Sequence, residues 1–184
     1  MFQRLLKKIA SNLDKSRIPY MVIGGQAVLL YGEPRLTKDI DITLGVGLER
    51  LDDMRAIVKR LGLKCLPENI NEFVKETMVL PVADQKSGIR VDFIFSHSTY
   101  ERQAIERARR IALGGAKIKF ASLEDLVIHK MIAERPRDIE DVESILLKNP
   151  QYDSRYIEKW LTEFDTALDK KYRETFAVLQ KKLK

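Results

Sequence analysis

The sequence predicts an α+β fold, with a mixed-sheet N-terminal half followed by a helical C-terminal half. Three observations carry this reading. Short apolar runs at 19–23, 39–44, 77–83 and 89–95 have the length and alternation of strands. Stretches of helical periodicity separate them. From Ser122 onward every apolar pattern is helical. The order divides the chain into an α/β region over 1–120 and a helical region over 121–184. A chain of 184 residues is long enough for one domain with a small appendage and a proper core.

Each element has its own reason. Phe2, Leu5, Leu6, Ile9 and Leu13 recur at helical spacing, so 2–15 reads as an amphipathic helix. Pro19–Ile23 is a buried strand stopped by a tight turn at Gly24-Gly25. A helix starts at 26–31 and is broken by Gly32 and Pro34. Asp39-Ile40-Asp41-Ile42-Thr43-Leu44 alternates polar and apolar as a strand does. Residues 48–61 return to helical periodicity. Thr77–Ala83 and Ile89–Phe95 flank a polar turn at 84–88 and read as a hairpin. Residues 98–110 look helical, and Lys117–Phe120 a short last strand. Ser122 precedes two early acids, as at a capped helix start. Pro136 opens the next helix, Asn149-Pro150 closes it, and 152–183 holds one or two more.

Composition excludes several classes. Lys+Arg 33 against Asp+Glu 27 gives a formal net charge of +6, a mild excess that suits a phosphate-rich partner and equally a solvated surface. No apolar run approaches the ~20 residues of a membrane helix. No apolar stretch of signal-peptide type follows the basic N-terminus. Cys65 is the single cysteine, so no internal disulfide forms. With only His97 and His129 besides, a structural zinc site lacks ligands. These features predict a cytoplasmic protein without a membrane partner.

The chemistry concentrates in two acidic strands. In an extended strand residues i and i+2 share a face, so Asp39 and Asp41 project together while Ile40 and Ile42 turn inward. Two adjacent carboxylates repel, and a divalent cation is the usual compensation. Oxygen-only ligands suit Mg²⁺ or Mn²⁺. Asp92 stands among apolar neighbours. If its strand lies beside the first, it becomes a third ligand, and three carboxylates can hold two ions roughly 3.5–4 Å apart. Otherwise Asp92 faces solvent, or Arg90 simply pairs with it. Gly24 and Gly25 let backbone N–H groups approach phosphate at a helix N-terminus, although a Gly-Gly pair is more often only a turn.

Together, Ile23-Gly24-Gly25-Gln26-Ala27, Tyr31-Gly32, Arg35, Thr37 and Asp39-Ile40-Asp41, with Asp92 further on, resemble the DNA polymerase beta superfamily of nucleotidyltransferases. The text is most similar to the minimal and AbiEii-type toxin branch, and also to some aminoglycoside nucleotidyltransferases. Lys130 and Arg137-Asp138-Ile139-Glu140-Asp141 extend the likeness to a lysine and a charged helix of the toxin branch. The resemblance implies transfer of a nucleotide from a nucleoside triphosphate to an acceptor hydroxyl, with release of pyrophosphate. It implies that Asp39, Asp41 and Asp92 are catalytic and hold Mg²⁺ or Mn²⁺. Asp92 also helps to deprotonate the acceptor. Gly24 and Gly25 would cradle the terminal phosphates, Gln26 would cap the helix or touch nucleotide, and Arg35 or Lys130 would neutralise the triphosphate. In the toxin branch the acceptor is RNA or protein, and an antitoxin partner is implied. The alternatives are nucleotidylation of a small molecule such as an aminoglycoside, and a non-catalytic nucleotide- or RNA-binding module. The complete acid set argues against the last.

The remaining polar residues have plainer readings. Asp138 and Asp141 share a helical face and are expected to pair with Arg135 and Arg137. Arg102, Arg107, Arg109, Arg110, Lys117 and Lys119 form a basic set that could touch an RNA backbone or simply be solvated. Trp160, Tyr152, Tyr156 and Phe164 read as packing.

Overall fold

The computed structural model describes residues 2–34, 36–96 and 98–183. Arg35, expected at the triphosphate, and His97 lie outside the described residues. The chain divides into two compact units. One contains residues 1–26 and 36–121, and the other 27–35 and 122–184.

The first unit is built on a seven-stranded mixed sheet. Its strands are β1 (Tyr20–Ile23), β2 (Asp39–Leu44), β3 (Lys64–Cys65), β4 (Val79–Ala83), β5 (Arg90–Phe95), β6 (Arg109–Leu113) and β7 (Ala116–Phe120). Their order across the sheet is β3-β4-β5-β2-β1-β7-β6. β1 is buried at all four positions, as a central strand requires. It pairs antiparallel with β2 and parallel with β7. β4 and β5 form the expected hairpin. β5 then runs parallel to β2, after a long crossover through the intervening helices. Helix α1 (Phe2–Lys15) buries Leu5, Leu6, Ile9, Ala10 and Leu13, the stripe its spacing predicts.

Three stretches differ from the reading of the sequence. Residues 48–61 are a 3-10 turn at Leu48–Arg50 followed by α3 (Leu51–Leu61), which ends where Gly62 takes φ 68°. A helix over Ile70–Thr77, labelled α4, has no counterpart in the sequence reading. The helix expected over 98–110 stops early. α5 covers Thr99–Glu106, and Arg109 and Arg110 open β6 instead.

The second unit is helical, as expected. It takes in residues 27–31 of α2 (Gly24–Tyr31) together with α6 (Leu123–Ala133), α7 (Pro136–Lys148), α8 (Ser154–Leu168) and α9 (Tyr172–Lys182). Eight of the eleven residues of α6 are buried, since α7, α8 and α9 all pack on it. The Ser122 side chain caps α6 by accepting from the Asp125 N–H at 3.1 Å. Pro136 stands in the first turn of α7, where its missing N–H costs nothing.

Candidate active site

The site is set by one register. In the parallel β2·β5 pair, Asp39 stands opposite Arg90 and Asp41 opposite Asp92. Asp39, Asp41, Arg90 and Asp92 therefore share one face. Ile40, Ile42, Val91 and Phe93 fill the other and are fully buried. Adjacent strands lie about 4.8 Å apart, so the Asp41 and Asp92 side chains leave the sheet as neighbours. Along the same row, Pro81 of β4 flanks Asp92 and Ile23 of β1 flanks Asp41. The condition on which the third acid depends, that the two acidic strands lie side by side, holds.

The start of α2, directly after β1, closes over this row. Gly24 takes φ 64°, a conformation that L side chains rarely adopt. A Cβ there would overlap the Asp41 carboxylate, with the Asp41 Cγ only 2.8 Å away. The missing side chain is thus the space in which the Asp41 carboxylate lies. Gly24 and Gly25 do not form a separate turn ahead of the helix, because α2 begins at Gly24 itself. Its N-terminus, with the backbone N–H groups of the first turn, therefore starts at Asp41. Gln26 donates its side-chain amide to the Thr37 hydroxyl, which ties the first turn of α2 to the segment leading into β2.

Arg90 bonds one of these acids. Its Nε donates to Asp92 Oδ1 at 2.9 Å. The Arg90 side chain is 50% exposed and that of Asp92 19%. The hydrogen bond to Asp92 pushes the guanidinium's pKa up, against partial burial, and the charges of Asp92, Asp39 and Asp41 push it the same way. Among the described residues, no three His, Cys, Asp or Glu side chains converge as metal ligands. The donor set still suits a hard divalent ion. Two carboxylates of adjacent strands face the same way, and a third stands two residues along. All the donors are oxygens.

Lys130 lies in the second unit and is 4% exposed. Its Nζ donates to Asp138 Oδ1 at 2.8 Å and to Asp141 Oδ2 at 2.7 Å, which occupies two of its three donors. Asp138 also accepts from Arg135 Nε. Burial alone would push the Asp138 carboxyl up. The hydrogen bonds from Arg135 and Lys130 outweigh it and hold the carboxyl below the usual range. The pairing of Asp138 with Arg135 follows the sequence. The pairing of both aspartates with Lys130 was not foreseen, although Lys130 and Asp141 fall on consecutive helices.

The sequence matches the family described as "Nucleotidyltransferase of unknown function (DUF6036)" over residues 1–181. The chain belongs to this nucleotidyltransferase family. A search of curated protein sequences gives no match. Among solved structures, this nucleotidyltransferase is similar to the antibiotic-resistance factor ANT(2'')-Ia in complex with adenylyl-2''-tobramycin. There the TM-score is 0.60 at 20% identity, over 90% of this chain and 98% of that chain. It is similar to an antigenic nucleotidyltransferase-like protein from Paracoccidioides brasiliensis, with TM-score 0.57 and 18% identity, over 97% and 91% of the two chains. It is also similar to the lincosamide antibiotic adenylyltransferase LnuA bound to lincomycin, with TM-score 0.54 and 17% identity, over 77% and 94%. These likenesses show a shared fold. No described helix of the nucleotidyltransferase is long and apolar enough to cross a membrane.

Proposed function

We propose that this nucleotidyltransferase moves a nucleotide from a nucleoside triphosphate to an acceptor hydroxyl and releases pyrophosphate. The observation that carries the reading is the register of Asp41 against Asp92, beside Gly24, which has no room for a side chain. Asp39, Asp41 and Asp92 hold Mg²⁺ or Mn²⁺. The bound ion would supply positive charge to the triphosphate and acidify the acceptor hydroxyl. Asp92 takes the hydroxyl proton as the new oxygen–phosphorus bond forms and the bond to pyrophosphate breaks. The first-turn N–H groups at Gly24 and Gly25 receive the terminal phosphates, where the helix N-terminus favours negative charge. Gln26 acts by fixing this turn to Thr37. Arg35, in the segment before β2, neutralises the triphosphate. Lys130 supports the fold of α6 and α7 through Asp138 and Asp141, and its burial argues against the phosphate contact first expected of it.

For the acceptor, we favour a hydroxyl of RNA or protein, on the likeness to the toxin branch and the net charge of +6, and an antitoxin partner belongs to the same reading. A small hydroxylated molecule is the second reading. What favours it is the near-complete coverage of ANT(2'')-Ia and LnuA, both of which act on antibiotics.

The test is incubation with each labelled triphosphate, Mg²⁺, and total RNA, protein extract or small-molecule acceptors in turn. Label should move in one arm, should stop when EDTA removes the ion, and should be absent from the Asp39→Ala, Asp41→Ala double variant. Transfer that persists in the double variant refutes the assignment.

A further inference from the structure

The face that presents Asp39, Asp41 and Asp92 also presents a positively charged side chain. Arg90 lies two residues before Asp92 on the same strand and directly across from Asp39. Its guanidinium bonds the carboxylate that the proposed chemistry needs for an ion. Resting on the metal-dependent reading above, we propose that Arg90 is the built-in counter-cation of the acid cluster. It bonds Asp92, and its charge opposes the binding of a divalent ion there.

The geometry supports this in three ways. First, the contact is direct. Arg90 Nε donates to Asp92 Oδ1, which sets the guanidinium's charge against the carboxylate that would bind the ion. Second, the arginine is free to leave. Its side chain is half exposed, whereas Asp92 is largely covered, so the guanidinium can swing to water while the carboxylate stays. Third, the guanidinium stands among carboxylates of like charge. Carboxylates at strand spacing repel, and a tethered guanidinium offsets that repulsion. The consequence is competition. The same positive charge that steadies the metal-free site opposes the entry of another cation. Arg90 is thus a positioning residue that acts through Asp92.

The test uses the full chain, with Mn²⁺ as probe. Free Mn²⁺ is followed by electron paramagnetic resonance during titration of the wild type, Arg90→Gln, Arg90→Lys and Asp41→Asn. Arg90→Gln keeps a hydrogen-bond donor but loses the charge. It should bind Mn²⁺ about tenfold more tightly, the scale expected for removing one nearby charge. Its melting temperature in EDTA should fall, and Mn²⁺ should raise it more than in the wild type. Arg90→Lys should stay close to the wild type. In the wild type itself, the Arg90 Nε–H resonance should shift when Mg²⁺ is added, a readout that needs no variant. If the wild type binds Mn²⁺ and Asp41→Asn does not, yet Arg90→Gln gains no affinity and the Nε–H resonance is unmoved, the role of Arg90 is refuted and the metal reading stands. If no chain binds Mn²⁺, both are refuted.

Discussion

Gly24 shows how one missing side chain can make room for a carboxylate. Its φ of 64° and the Asp41 carboxylate beside it set two separate demands, one on backbone conformation and one on space. Alanine would violate both. Because the Asp41 carboxylate is only partly buried, it can yield by rotating, so the loss should appear in activity before it appears in stability. A displacement near 1 Å in a reacting constellation costs about 10²-fold in rate. We therefore expect Gly24→Ala to lower label transfer by about 10²-fold or more while the protein remains folded by circular dichroism. Unchanged transfer would show that Asp41 is not needed where it stands. The dyad of Asp39 and Asp41 was legible from alternation alone, because a strand's two-residue period assigns faces without tertiary information. The contact between Gly24 and Asp41 was not legible. It depends on β1 and β2 pairing so that Ile23 meets Asp41.

At the level of elements, α6 and α7 are joined by charge as well as by apolar packing. The side chains of Lys130, Asp138 and Asp141 are 5%, 4% and 7% exposed. Removing one partner of such a group leaves buried charge without compensation, at a cost of about 3–5 kcal/mol. Lys130→Met should lose about that much in urea unfolding at pH 7. The group also sets an acid limit. Asp138 titrates lower in the folded chain than in the unfolded one, so the folded state releases its proton more readily. Its contribution is complete above the ordinary carboxylate pKa of about 3.9 and is lost as pH falls through the lower folded value. Stability followed from pH 5 to pH 2 should fall less steeply in Asp138→Asn than in the wild type.

The elements missed in the sequence were missed for physical reasons. β3 is two residues long and exists only through its pairing with β4. The helix expected over 98–110 takes in Arg109 and Arg110, the first two residues of β6. Yet Gly114 and Gly115, both at positive φ, form the two-residue loop that joins β6 to β7. That glycine pair was the signal available in the sequence.

For the molecule as a whole, the sheet order puts the acids on interior strands and the basic hairpin at an edge. β5 and β2 each have neighbours on both sides, whereas β6 has one. Amide exchange by mass spectrometry should therefore find β1, β2 and β5 slowest and β6 fastest among strands of five or six residues and their central neighbour β1. Comparable exchange in β6 and β2 would contradict this order. Every strand signal in the sequence precedes Ser122, and every strand lies in the first unit. The grouping of residues 27–35 with the helical unit was not readable, because nothing in their sequence says which partners they will take.

The parallel register of β2 and β5 also bears on when the protein can first act. Asp39 and Asp41 leave the ribosome well before Asp92, with α3, β3, α4 and β4 synthesised in between. A nascent chain truncated at Gly88 holds two of the three acids and lacks both the third and its arginine. On the proposed assignment of the three acids, a chain that ends there does not transfer nucleotides.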